Sequence, residues 1–286
     1  MKKQNKITIK TIKSIKPSRI FMYIILTALA IVYVAPLIWM VFVSLKSNSE
    51  LFSNPFGVPL KPQWDNYVVA WTAGKLGIAT LNSAIVCFIS LVLSMLFGAM
   101  AAFAIARMKW KFSSTALTFF LIGMMIPVHS ILIPLFISFT KIGLTDSLLG
   151  LILPYISFSL PITIFILMGF FTNMPKELIE AACIDGSTIY GCFFKIALPL
   201  SKSGLFVTGL MTFVANWNEL LVAMVFNSDD QKRTLPVTLT AFVSPYSTNY
   251  VQMFAAIVIA VVPTIVVYCM FSNKIVAGLT AGAVKG

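Results

Sequence analysis

Charge is what this chain has least of. Asp, Glu, Lys and Arg make up 10% of its 286 residues, and only nine residues are acidic. Soluble domains carry about a quarter charged residues, so this scarcity excludes an ordinary water-facing surface. Histidine occurs once, at His129, and a single imidazole without companions makes no metal centre. The four cysteines, Cys87, Cys183, Cys192 and Cys269, show no C-x-x-C spacing, so neither a disulfide nor a metal site is expected. No G-x-x-x-x-G-K-S/T phosphate loop is present, and no Asp/Glu/His cluster could hold a nucleotide's magnesium, so the chain cannot hydrolyse ATP alone. Polar anchors for a cofactor are also missing, and none is assigned. An intramembrane enzyme would need a nucleophile with its base or paired carboxylates, whereas Glu219 and His129 stand far apart in sequence. No linker divides the chain, and neither a repeat of 20 to 50 residues nor an inverted repeat is visible.

What is present is apolar: 59% hydrophobic residues and a mean hydropathy of +0.94. Crossing about 30 Å of hydrocarbon takes roughly 20 apolar residues. Six such runs are predicted, at Ile20 to Leu45, Gly77 to Ala106, Thr115 to Phe136, Leu148 to Phe171, Leu205 to Phe226 and Val251 to Ser272. Lipid offers the backbone no hydrogen-bond partner, so the runs must be helices, and the alternating ten-residue segments of a membrane barrel are absent. The expected fold is an all-α polytopic membrane protein of six transmembrane helices. It comprises a basic tail (1–19) and one membrane domain (20–286) whose core spans about 77–272.

The formal charge of +12 belongs to the ends of these runs rather than to a nucleic-acid-binding face. With the N-terminus inside, fifteen of the 21 Lys and Arg face the cytoplasm. Lys46, Lys61, Lys75, Lys141, Lys232 and Arg233 then lie outside, as the positive-inside rule requires. Both termini are expected to be cytoplasmic. The first run is too long for a cleaved signal peptide, and Pro36 within it predicts a kink. The segment Lys46 to Lys75, with Pro55, Gly57, Pro59 and Pro62, reads as an external loop, as does Asn227 to Tyr250.

One polar segment interrupts the apolar pattern, within about 173–202. Pro175 suits a helix start, Glu177 and Glu180 favour its positive end, and Gly186 suits its stop. Leu178, Ala181, Ala182 and Asp185 recur at three- and four-residue spacings, so one face is predicted to carry two alanines that let a partner approach closely. A helix lying on lipid headgroups would be basic on its polar face, whereas this one carries Glu177, Glu180 and Asp185. A docking helix for another protein is the expectation.

The run Glu180-Ala181-Ala182-Cys183-Ile184-Asp185-Gly186, followed by Ile196-Ala197-Leu198-Pro199, resembles the EAA loop of ABC importer permeases. Asn66-Tyr67, Asn82-Ser83, Ile133-Pro134 and Gly143-Leu144 resemble the maltose-type sugar permeases, and the tail from Gly278 to Gly286 is similar to that of the family's smaller permease. This resemblance implies a type I importer fold in a bacterial plasma membrane. It also implies a second permease subunit, two ATPase subunits that hold the ATP and Mg, and an extracytoplasmic sugar-binding protein. Glu180, Ala181, Ala182, Asp185 and Gly186 would then couple to the ATPase. The implied cargo is a sugar, with an oligosaccharide favoured and a polyol or glycerol phosphate as the alternative.

For the solute path, the best cluster is Asn216-Trp217-Asn218-Glu219, because an intramembrane carboxylate is expensive enough to suggest function. Helix five could also end early and leave Glu219 near the external interface, or Glu219 could bond a neighbouring helix. Asn82, Ser83, Ser90 and Ser94 would line the same path or mediate helix packing. His129 is read as a helix irregularity or an interface residue. A rival reading is a stand-alone proton-coupled carrier built on Glu219, which leaves the Glu180 loop without a purpose.

Overall fold

The computed structural model describes residues 17–108, 110–242 and 249–283. Most of the basic tail, Lys109, Lys285 and the last residues of the C-terminal motif lie outside them. All regular structure among the described residues is helical. The first helix, α1, is Pro17–Ser44, and two short helices, α2 (Asn48–Ser53) and α3 (Asp65–Thr72), follow it. Next come α4 (Leu76–Arg107), α5 (Ser113–Met125), α6 (Val128–Lys141) and α7 (Leu148–Thr172). The polar interruption folds as α8 (Lys176–Ile184), α9 (Ile189–Gly191), a π-helical turn at Cys192–Ala197 and α10 (Leu198–Leu200). The chain ends with α11 (Lys202–Trp217), α12 (Leu221–Phe226), α13 (Leu235–Thr240) and α14 (Tyr250–Ala283).

Four unbroken helices are long and apolar enough to cross a membrane: Ser18–Ser44, Leu76–Arg107, Leu148–Thr172 and Tyr250–Phe271. Each matches a predicted run to within a few residues. α1 continues through Pro36 without a break. The other two predicted spans need correction. The run expected at Thr115 to Phe136 is two helices, α5 and α6, bent by 96° at a break. Pro127 explains it: the residue before a proline is pushed out of the helical region, and Ile126 sits at ψ 116° with Pro127 itself at ψ 129°. The run expected at Leu205 to Phe226 ends its helix at Trp217 and resumes as the separate α12. At its start, the Ile189–Leu200 segment meets α11 at 79°.

α4 and α7 form the centre. In lipid, apolar surface alone does not drive helices together, so close backbone approach has to do so. The buried seam of α4 is accordingly small: Ser83, Cys87, Ser90, Ser94, Gly98 and Ala102 follow one another at three- and four-residue steps. A Cβ at Gly98 would stand 2.4 Å from the Thr163 Cγ2 of α7, so only glycine fits there. The Ser90 hydroxyl donates to the Ile152 carbonyl across the same seam at 3.4 Å.

The connections after α1, α6 and α12 are ordered by backbone-directed side chains. Asn66 Nδ2 donates to the carbonyls of Ser44 and Lys46, both at 2.9 Å, and Tyr67 shares a 2.6 Å hydrogen bond with Ser44. Lys46, expected in an outside loop, is fully buried there, and its ammonium donates to the Asn54 carbonyl at 2.6 Å. A second clip joins the α6–α7 turn to the loop after α12. Asp146, at φ 51°, accepts from the N–H groups of Ser228 and Asp229 at 2.6 and 3.0 Å. These N–H donors, that of Asp229 foremost, hold its carboxyl below the usual carboxylate range, and Lys232 adds attraction. Asp230 bridges Lys75 at 2.9 Å and Arg233 at 2.6 Å, tying the start of α4 to the same loop.

Candidate functional site

Two places gather most of the candidate residues. At the first, Pro175 starts α8 and Asp185 and Gly186 end it. Gly186 has φ +79°, a left-handed conformation that costs a side-chain-bearing residue roughly 1–2 kcal/mol. The Ser187 N–H then reaches the Ala182 carbonyl at 2.9 Å and the Gly186 N–H the Cys183 carbonyl at 3.1 Å, closing the helix end. Thr188 immediately caps the next turn by accepting from the Gly191 N–H at 3.2 Å. The result is a tight helix-turn-helix whose tip projects from the bundle.

Leu178, Glu180, Ala181, Asp185 and Gly186 are exposed on this loop. Ala182 is not; it is 7% exposed and faces inward, which corrects its predicted place on the outer face. The phase of α8 turns that position onto a cluster made by Phe103, Leu167, Phe171, Met174, Cys192, Phe193 and Ala197. Phe193 meets Phe103 with ring centroids 5.4 Å apart, and Phe103 meets Phe171 at 5.7 Å. The Arg107 guanidinium at the end of α4 donates to the Met174 carbonyl at the α7–α8 joint. The loop is therefore fixed to the ends of both central helices. Sequence reasoning passed over Ile184 and Tyr190, which are 86% and 65% exposed at the tip. An isoleucine inside a polar run was the available signal.

The second place is a cavity of about 520 Å³ bounded by α7, α11, the start of α6 and the α11–α12 break. Glu219 lies in that break. Its carboxylate accepts from the Val222 N–H at 2.8 Å, the Ala223 N–H at 3.1 Å and the Tyr155 hydroxyl at 2.7 Å. It thus caps α12 and anchors it to α7. Asn216 and Asn218 line the same cavity, together with Tyr155, Ser159, Thr208, Thr212 and His129. Ser159 donates to Asn216 Oδ1 at 3.2 Å. Asn216 Nδ2 and the Thr208 and Thr212 hydroxyls are buried without a hydrogen-bond partner. Each such group forgoes about 1–3 kcal/mol unless something else satisfies it.

The remaining predicted residues lie elsewhere. Trp217 points away from the cavity, stacks on Phe213 at 5.7 Å and donates from Nε1 to the Ala260 carbonyl of α14. Asn82 donates to the carbonyls of Gln231 and Arg233 at 2.8 and 3.0 Å, and Ser83 accepts from the Leu235 N–H at 2.7 Å. Both hold the loop after α12 against α4. Tyr155, Ser159, Thr208 and Thr212 were not singled out from the sequence, because a hydroxyl in an apolar run carries no mark of which way it points.

Residues 94–273 match the family model described as the binding-protein-dependent transport system inner membrane component. The chain is 35% identical to the diacetylchitobiose uptake system permease protein NgcG of Streptomyces coelicolor, over 90% of this chain and 85% of that one. It is also 35% identical to the sulfoquinovosyl glycerol transport system permease protein SmoH of Agrobacterium fabrum, over 88% of each. Among solved structures, a bacterial ABC transporter involved in the import of the acidic polysaccharide alginate aligns with a TM-score of 0.78 at 20% identity. That alignment covers 91% of this chain and 98% of the other, a likeness of fold.

Proposed function

Because the chain belongs to the family of binding-protein-dependent transport system inner membrane components, we propose that it is one of two permease subunits of an ABC importer for a saccharide, an oligosaccharide foremost. It is a multi-pass protein of the plasma membrane. In this reading the two bent helix pairs each count as one span, giving six crossings with both termini in the cytoplasm. ATP and Mg belong to two partner ATPase subunits, and an extracytoplasmic binding protein delivers the solute. The observation that carries the saccharide is the near full-length similarity to permeases named for glycosylated cargo.

The geometry supports a division of labour. The exposed tip from Leu178 to Gly186 is the surface an ATPase cleft would grip, and Ala182 and Phe193 seat it on the ends of α4 and α7. Movement of the loop would pass to those helices as a rigid displacement, because a close-packed cluster transmits strain rather than absorbing it. The cavity offers donors and acceptors along one wall, with Phe158 and Met211 as apolar surface. Hydroxyl-rich solutes are recognised by such a mixture. Glu219 accepts three hydrogen bonds, which favours a fixed anchor over a mobile proton carrier.

The test is ATPase activity of the complex purified through this chain, with the binding protein and a panel of oligosaccharides, comparing wild type with Gly186→Val. Saccharide-stimulated hydrolysis that disappears in the variant supports importer and coupling loop together. A chain that co-purifies with no ATPase, and takes up solute alone in a proton gradient, overturns the reading.

A further inference from the structure

A second cavity, of about 770 Å³, lies at the coupling-loop end of the same α7–α11 face, bordered by Gly169, Asn173, Leu178 and Ser201. The cavity holding Glu219 and this one share a single lining residue, Ile166. On α7 the order is Ile162 in the upper cavity, Ile166 in both and Gly169 in the lower, at steps of four and three residues that keep them on one face. Below Ile166 the way is clear, since a Cβ built at Gly169 meets no atom within 4 Å. Ile166 itself is half-buried and apolar, between one chamber lined by Asn216 and Thr212 and another lined by Asn173 and Ser201. A β-branched side chain is stiff at χ1, so it holds its position between the two cavities. Apolar constrictions between solvated spaces exclude water and hydroxylated solutes by dewetting.

We propose that Ile166 is the barrier that separates the solute chamber from the cytoplasmic mouth, with Gly169 left bare so that solute passing it leaves freely. The proposal rests on the permease reading above and adds the residue that closes the path. The second permease would supply the opposing wall. Displacing α7 through the coupling loop would move Ile166 and open the passage, which links the barrier to the lever.

The test uses the assembled importer in inside-out membrane vesicles, a membrane-impermeant maleimide as probe, and mass spectrometry of the labelled peptide. Gly169→Cys is expected to react rapidly from the coupling-loop side, and Ile162→Cys to be protected, reacting about tenfold more slowly or less. Adding Ile166→Ala to Ile162→Cys is expected to abolish that protection, whereas Ile166→Leu preserves it. Co-purification of the ATPase reports that each variant is assembled. Equal labelling of Ile162→Cys with and without Ile166→Ala overturns the proposal, as does rapid labelling of Ile162→Cys alone. The readout is independent of cargo. If no saccharide is transported yet Ile166→Ala exposes Ile162→Cys, the barrier stands and the saccharide reading falls. If saccharide moves while protection is unchanged, the barrier falls alone.

Discussion

The two ends of the α7–α11 face are built on opposite plans. At the α8 end, aromatic rings from three elements, α4, α7 and the π-helical turn, lock together, and every buried residue of the cluster is apolar. At the Glu219 end, helices break, hydroxyls are buried and three polar side-chain atoms lack partners. The first arrangement resists deformation because dense packing has no alternative state nearby. The second leaves hydrogen-bonding capacity for something that arrives from elsewhere. A transporter that receives force at one end and holds cargo at the other would need this asymmetry.

The comparison breaks most severely at Phe193. Phe193→Ala removes the ring beneath α8 and is expected to cost about 3–5 kcal/mol. Lost assembly with the ATPase, read by co-purification, is the expected result, and an assembled, active complex would show that the end is not rigid. Gly186→Val comes next, forcing a β-branched residue into the left-handed region at a cost of roughly 1–2 kcal/mol or more. It is expected to abolish saccharide-stimulated ATPase activity while membrane insertion, measured by fractionation, continues.

At the other end, Glu219→Ala strips two N–H caps from α12 and a partner from Tyr155, with an expected cost of about 0.5–2 kcal/mol. ATPase docking is expected to persist while solute stimulation falls, a split that distinguishes the two ends directly. Thr212→Val sharpens the contrast further. Replacing an unpartnered hydroxyl by a methyl of similar shape is expected to leave thermal stability within about 0.5 kcal/mol or raise it, while weakening solute response.

The smallest effect concerns pH. The folded-state pKa of Asp146 is depressed, so its clip contributes fully above the usual carboxylate range and is lost as pH falls through the folded value. Because the group is close to solvent, only a slight acid loosening below about pH 4 is expected. Asp146→Asn is expected to flatten that part of a thermal-stability profile.

Legibility in the sequence followed the length of the pattern. Leu76–Arg107 and Leu148–Thr172 were readable because lipid forces any apolar run of that length into a helix, whatever surrounds it. The turn at Gly186 was readable because glycine adopts its left-handed backbone angle without the penalty a side chain brings. The bend at Pro127 was legible in principle, since proline constrains its predecessor, yet two prolines inside α7 leave that helix unbroken. The break around Glu219 has no such mark. It exists because the Val222 and Ala223 N–H groups and Tyr155 converge on one carboxylate.

Sequence alone determined that this chain lives in a membrane, where its unbroken helices run, and that a polar loop with a glycine stop interrupts them. These properties depend on composition and on local backbone physics. Only the tertiary structure decided that Ala182 faces inward, that Trp217 leaves the cavity and that Asn82 and Ser83 hold a loop. It alone placed Ile166 between two chambers. In a helix that is apolar on every side, composition does not record rotation about the axis, and rotation is set by the neighbours it packs against.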